Sequence, residues 1–390
     1  MRIRRCAVLW LEHRDTPVFD LGELLAGGTG VSSELAWCAH APHLDVAVPL
    51  DLDEIRLLGA LSPNEWVSRR GFDEAHGIQR VRKLLKAGLV IGSTQPWAGQ
   101  RSADDRLRET GWFGVAALLH NASRWHGVDS PGQSNSLGVE TAEGLRLKHG
   151  VPPAAIHSRE TAVARTRLPP PANEAFDDLL DARATCRNFD AGAVLPLTVV
   201  SRVLARAFGA RGQARVASDF DLVKRSSPSG GSMHPTECYV IVQRVQGLAP
   251  GLYHYNVGAH ALDALPIPAD LDVSAFAHTA VAGQQWFAEA PVLCVLAPRF
   301  FRNFWKYRNH AKAYRVCILD IGHLSQTLQL CATQEGLGSF ITAAINEVDI
   351  EAALGLTGLV DGPLAVCGFG ARADAMATPE FDPNGNVWPG

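Results

Sequence analysis

The sequence predicts an α+β fold in which helices pack around a mostly antiparallel sheet. Three observations carry that expectation. Helical and strand-like segments mix without the regular alternation of a parallel sheet. From about Asp320 to Glu335 an uncharged helix puts Ile321, Leu324, Leu328 and Cys331 on one face. With so little charge, its other face is also expected against protein, at a domain centre or a subunit interface. Finally, the runs 339–345 and 363–368 are apolar enough to be buried strands.

Composition narrows the function. The chain has 390 residues, 47% apolar and 19% charged, as in ordinary globular proteins. A net charge of −4 gives no electrostatic case for nucleic acid or an anionic membrane as the main partner. The apolar run near the start ends at Glu12, too early for a signal peptide. No apolar run reaches the ~18 residues of a membrane span. Eight cysteines stand without C-x-x-C spacing, so no metal site is expected, and a reducing cytoplasm is the expected compartment. Five of them lie in apolar runs, as buried hydrophobes do.

Residues 1–95 read as a first, winged-helix-like domain. A strand spans 2–11, and helices span 50–61, 63–67 and 76–87. Gly88 closes the last helix and Leu89-Val90-Ile91 forms a strand. This stretch holds 11 basic and 12 acidic residues, against the basic face a DNA reader needs. Peptide docking or an accessory, lid-like role remains. Residues 96–170 hold a helix at 112–125, a Gly/Ser/Asn-rich break at 127–138 and proline-rich connectors. Residues 171–390 form the main domain. It opens with a helix over 173–184, capped by Asn173 and with Phe176, Leu179 and Leu180 inward. A helix over 196–208, strands at 239–245, 251–255 and 291–296, the uncharged helix, and a short helix at 350–354 follow.

Three short stretches bear chemistry. Arg183, Thr185 and Arg187 alternate, so in an extended segment they project to one side and suit a phosphate. A solvated basic helix end would have the same residues. Pro228-Ser229-Gly230-Gly231 is a stiff loop whose glycines let backbone amides approach a flat ligand, although a plain turn would also read this way. Lys306-Tyr307 sets two proton-transfer groups side by side among aromatic residues. Burial and mutual charge bring such groups nearer neutral pH, whereas an exposed Lys beside a packed Tyr has no such role.

In order and content these stretches resemble the SagB-type dehydrogenases of the FMN-dependent nitroreductase superfamily. The matching run is Arg-x-Thr-x-Arg-x-Phe (183–189), Pro-Ser-Gly-Gly-Ser-Met-His-Pro (228–235), Pro-Gly-Leu-Tyr-His-Tyr (250–255), Lys-Tyr (306–307), Tyr-Arg (314–315), Asp-Ile-Gly-His-Leu-Ser-Gln (320–326) and Glu-Gly-Leu-Gly (335–338). The resemblance implies a nitroreductase-like sandwich and FMN bound at a homodimer interface. It further implies a phosphate clamp at Arg183, Thr185 and Arg187 with Arg372 a later contributor, and a flavin-facing loop at Pro228, Ser229, Gly230 and Gly231. Gln326 would lie near the cofactor. Lys306 and Tyr307 would be catalytic, one of them taking a Cα proton while hydride passes to the flavin, which oxygen reoxidises. His234 and His323 are alternative acids or bases.

The implied reaction oxidises azolines to azoles in a ribosomally made precursor peptide, after a separate cyclodehydratase has made the azolines. Arg308 stands where such proteins commonly have glycine, and Met233-His234 falls where they vary; both bear on substrate choice. Two other readings use the same residues: an NAD(P)H-dependent reductase of nitro, enone or dehydroamino-acid groups, and a non-catalytic peptide-docking scaffold.

Overall fold

A computed structural model describes residues 1–268 and 271–388; the end of the expected main domain, 389–390, lies outside them. The described residues form two compact units, one of 1–124, 299–316 and 357–362, the other of those within 125–298, 317–356 and 363–388.

In the first unit Arg2–Arg5 lies between Val67–Ser68 and Val90–Gly92 in an antiparallel sheet. Helices Leu52–Ala60, Arg69–His76 and Ile78–Lys86 accompany it, the winged-helix-like plan predicted. Leu57, Leu58, Val81, Leu84 and Leu85 close the core on Ile3 and Ile91. The expected helix at 63–67 is absent. Ser62 Oγ instead accepts from the amides of Asn64 and Glu65, turning the chain so that Val67 pairs with Ile3. The first helix of the following pair ends at Gly77, whose φ of +87° a side chain would resist, so the next begins at Ile78 rather than 76. The strand expected over 2–11 stops at Arg5. Trp10–Phe19 pairs separately with Val31–His40 and carries charged, mostly exposed residues that hid it from an apolar pattern.

The second unit is built on a six-stranded, wholly antiparallel sheet. Its order is Ala261–Ala264, Gly251–Asn256, Thr236–Val242, Val292–Pro298, Ala365–Gly370, Gly338–Thr342. Helix Leu197–Phe208 covers one face with Val200, Val203, Leu204 and Phe208, together with Ile321, Leu324 and Leu328 of the long helix. Helices Val273–Ala280 and Glu347–Leu354 cover the other, around Phe276, Phe287, Phe340 and Ile350. This is the predicted sandwich. All eight cysteines are reduced and seven are buried, Cys294 directly opposite Cys367 across two strands.

Two helices differ from expectation. The long helix begins at Ala313 rather than near Asp320. On its other side Asp320, His323 and Thr327 meet residues 227–229, whereas Ile318 and Leu319 are 49% and 54% exposed, beside Gly322 and Gln326. Helix Ala175–Ala182 is capped by Glu174 and Asp177 rather than Asn173, and its apolar face is open, with Phe176 60% and Leu180 40% exposed. The hairpin Gly212–Ala217/Phe220–Lys224, missed in the sequence, stands as a two-stranded ribbon.

Candidate active site

The clamp residues occupy an extended segment. Arg183 closes helix Ala175–Ala182 in extended backbone, Thr185 bridges Ser339, and Cys186 donates its amide to the Ser339 carbonyl at 2.8 Å. That close approach requires glycine at 338, where a Cβ would sit 2.5 Å from Cys186 Sγ. Ala184, Cys186 and Asn188 turn inward and are buried, while Arg183, Thr185 and Arg187 stay partly exposed. Extended geometry thus sets both guanidinium groups and the hydroxyl on one side. Arg183 Nη1 lies 3.4 Å from Gln329 Oε1, and the Arg187 guanidinium stands 6.0 Å over the Phe287 ring.

Arg372 follows the strand Ala365–Gly370 and bridges Phe189. Its guanidinium donates to the Ala184 carbonyl at 2.9 Å and pairs with Glu380. Sequence reasoning missed Glu380, which lies in an irregular tail with no local pattern to mark it. Burial alone would raise its pKa. Hydrogen bonds from Trp388, the Arg187 amide and Asn188, with the Arg372 charge, outweigh burial and hold it below its ordinary value.

The loop Pro228–Gly231 docks on the long helix through three positions of one stripe. Ser229 Oγ donates to Asp320 Oδ2 at 2.5 Å, His323 Nδ1 lies 3.3 Å from the Pro228 carbonyl, and Ser227 Oγ lies 2.7 Å from Thr327 Oγ1. Asp320, read from sequence as a helix start, is instead a buried mid-helix anchor. Burial raises its pKa, opposed by hydrogen bonds from Ser229 and the Gly230 amide. Gly231, Ser232 and His234 all have positive φ, at +62°, +58° and +43°. Ser229 Oγ helps hold this tight path by accepting from the His234 amide at 2.9 Å. The loop and the hairpin ribbon enclose a groove of about 540 Å³, lined by Gln213, Leu222, Lys224, Ser227, Ser229 and His234. Gln326 is exposed on the long helix.

Lys306 and Tyr307 belong to the first unit, just after helix Phe300–Phe304. Both amides donate to the carbonyl of buried Asn303, at 3.2 and 3.1 Å. The Lys306 ammonium stands 5.6 Å from the Tyr307 ring centroid. Lys306 is exposed and Tyr307 half-buried. Phe300 and Phe304 turn inward onto Trp112, His120 and Tyr314. His120 is buried there, its pKa pushed down to about 4 by desolvation.

Residues 180–371 match the Nitroreductase family. The trifolitoxin-processing protein TfxB of Rhizobium leguminosarum bv. trifolii is 27% identical over 172 residues, 44% of this chain and 46% of TfxB. The chain therefore spans under half of that relative's length. The trifolitoxin operon protein TfxC of the same organism is 25% identical over 326 residues, 76% of this chain and 85% of TfxC. Among solved structures, the E. coli microcin synthetase McbBCD complex with truncated pro-MccB17 bound aligns at a TM-score of 0.48 and 19% identity, over 72% of this chain and 95% of that one. Within the six-stranded, helix-covered unit, residues 180–371 are a nitroreductase-family domain.

Proposed function

We propose that this chain is an FMN-dependent, SagB-type dehydrogenase acting on a ribosomally made peptide, and that it oxidises azoline rings to azoles. The observation that carries the reading is the one-sided display of Arg183, Thr185 and Arg187 in a nitroreductase-family domain. The family supports an oxidoreductase, and relatives named for trifolitoxin processing and for the trifolitoxin operon support a role in peptide maturation.

The residues fit the cofactor. Two half-exposed guanidinium groups and a hydroxyl are a phosphate's donor set. Pro228 and Ser229, next to Gly230 and Gly231, border a groove of about 540 Å³ able to take a flat ring system. FMN supplies the two-electron redox chemistry when bound. The chain's own residues orient and move protons. Oxidation removes a proton from Cα and a hydride from Cβ of the azoline and leaves a carbon–carbon double bond in the ring. Tyr307 or Lys306 takes the Cα proton, and a covering substrate desolvates the pair.

A second copy of the chain covers the open faces at Phe176, Leu180, Ile318 and Leu319 in this reading. Residues 1–95 dock the precursor peptide or a partner enzyme such as the cyclodehydratase. The deciding experiment is the visible spectrum of the purified protein, with identification of any chromophore released on denaturation. Yellow protein releasing FMN supports the reading; colourless protein that cannot be reloaded ends it. Bleaching by NAD(P)H would move the assignment to a reductase.

A further inference from the structure

The tail after the last strand does more than end the chain. Glu380 sits beneath the clamp with its side chain fully buried. One oxygen accepts from the Asn188 amide at 3.0 Å and Asn188 Nδ2 at 2.9 Å, and also from the Arg187 amide. The other accepts from Trp388 Nε1 at 2.8 Å and from Arg372 Nη1. Asn188 in turn holds the tail: its Oδ1 accepts from the amides of Ala377 and Thr378 at 2.8 and 2.7 Å. A buried carboxylate with this many donors is fixed in place, and so are the groups that donate to it.

We propose that Glu380 is the positioning residue of the anion clamp. By pinning the backbone at Arg187 and Asn188, it keeps Arg183, Thr185 and Arg187 turned together toward the phosphate of FMN. Its charge is spent on Arg372, which becomes a tie between the tail and Ala184 rather than a phosphate ligand. A glutamine at 380 has the same shape, but its NH₂ must face either backbone amides or the Arg372 guanidinium, so one set of donors loses its acceptor. This inference rests on the reading of the chain as an FMN protein.

The test titrates the full-length apoprotein with FMN and with riboflavin, which has the same ring and no phosphate, following flavin fluorescence. Glu380→Gln is expected to weaken FMN about tenfold, equivalent to about 1.4 kcal/mol, with riboflavin unchanged within about twofold. Equal weakening of both flavins overturns the proposal, because the residue then serves the fold and not the clamp. Unchanged or tighter FMN binding overturns it too, the latter meaning that the tail competes with the anion. Wild-type protein that binds FMN no better than riboflavin removes the clamp itself, a failure distinct from that of Glu380. Should Glu380→Gln not fold, Trp388→Phe removes one donor while leaving the carboxylate; it is expected to weaken FMN about two- to fivefold with riboflavin unchanged, and no FMN effect counts against the proposal.

Discussion

The Arg183–Phe189 segment and the Lys306–Tyr307 turn were both selected by residue type, yet the chain builds them in opposite ways. The first is locked by Ser339 on one side and Glu380 on the other, so its outward side chains leave a preset backbone. The second turns on local backbone bonds, Lys306 and Tyr307 to the Asn303 carbonyl and His310 to the Tyr307 carbonyl, and its lysine is exposed. A preorganised cradle is ready to bind an anion without further change. A proton-transfer pair on an open turn is completed only when a substrate or a second copy covers it. The difference separates what this chain supplies alone from what a substrate or a second copy must add.

That contrast is tested first at the pair. Tyr307→Phe should lower turnover of an azoline peptide about 10²–10⁴-fold, the range of general acid–base catalysis, while FMN stays bound. Unchanged kcat with full flavin content would falsify a catalytic Tyr307. At the clamp the expected pattern reverses. Replacing both Arg183 and Arg187 by Ala should weaken FMN roughly 10²-fold or more, from about 1.5–3 kcal/mol per charged hydrogen bond. Turnover at saturating FMN should recover much of its value; a kcat defect that saturation does not repair would place the arginines in the chemistry.

The sequence made these regions unequally legible for physical reasons. Alternation at 183–187 was readable because an extended backbone imposes a period of two, and the buried Ala184, Cys186 and Asn188 confirm the period. The sandwich was readable from apolar runs that are indeed buried strands, such as Val292–Pro298. Glu380 and Asp320 were not, since their importance comes from partners far away in sequence, Asn188 and Ser229. Residue type also misled at Phe176: an apolar stripe says that a face will be covered, and not whether this chain covers it. The ribbon at 212–224 escaped because an exposed two-stranded hairpin needs no apolar face.

Gly338 sharpens the same comparison from the packing side. A methyl group there would lie 2.5 Å from Cys186 Sγ and 3.0 Å from Arg372 Cγ, two neighbours that hold the clamp segment. Gly338→Ala should cost about 1–3 kcal/mol of stability by urea denaturation, as overpacking does. FMN affinity should fall with it, because Ser339 of the displaced strand bridges Thr185; a stable variant with normal affinity would mean that the segment is softer than its contacts suggest.

The smallest expected effect is a pair of pH dependences with opposite signs. Glu380 has its pKa held below 4.5 in the fold. Its charged form is the stabilising one, so its contribution is complete above the unfolded value and disappears as pH falls through the folded value. Asp320 has its pKa raised above 3.8 by burial. Its protonated form is the favoured one, so its contribution is complete below the unfolded value and is lost as pH rises through the folded value. Glu380→Gln should therefore destabilise the protein at pH ~7, with the deficit shrinking toward pH ~3. Asp320→Asn, which keeps an acceptor for Ser229, should be neutral or stabilising at pH ~7, with the difference fading in acid. Urea midpoints at the two pH values decide it. Differences that change in the same sense for both variants would mean that burial does not set the balance at Asp320: the hydrogen bonds from Ser229 and the Gly230 amide would then outweigh it and make that loop as preset as the clamp.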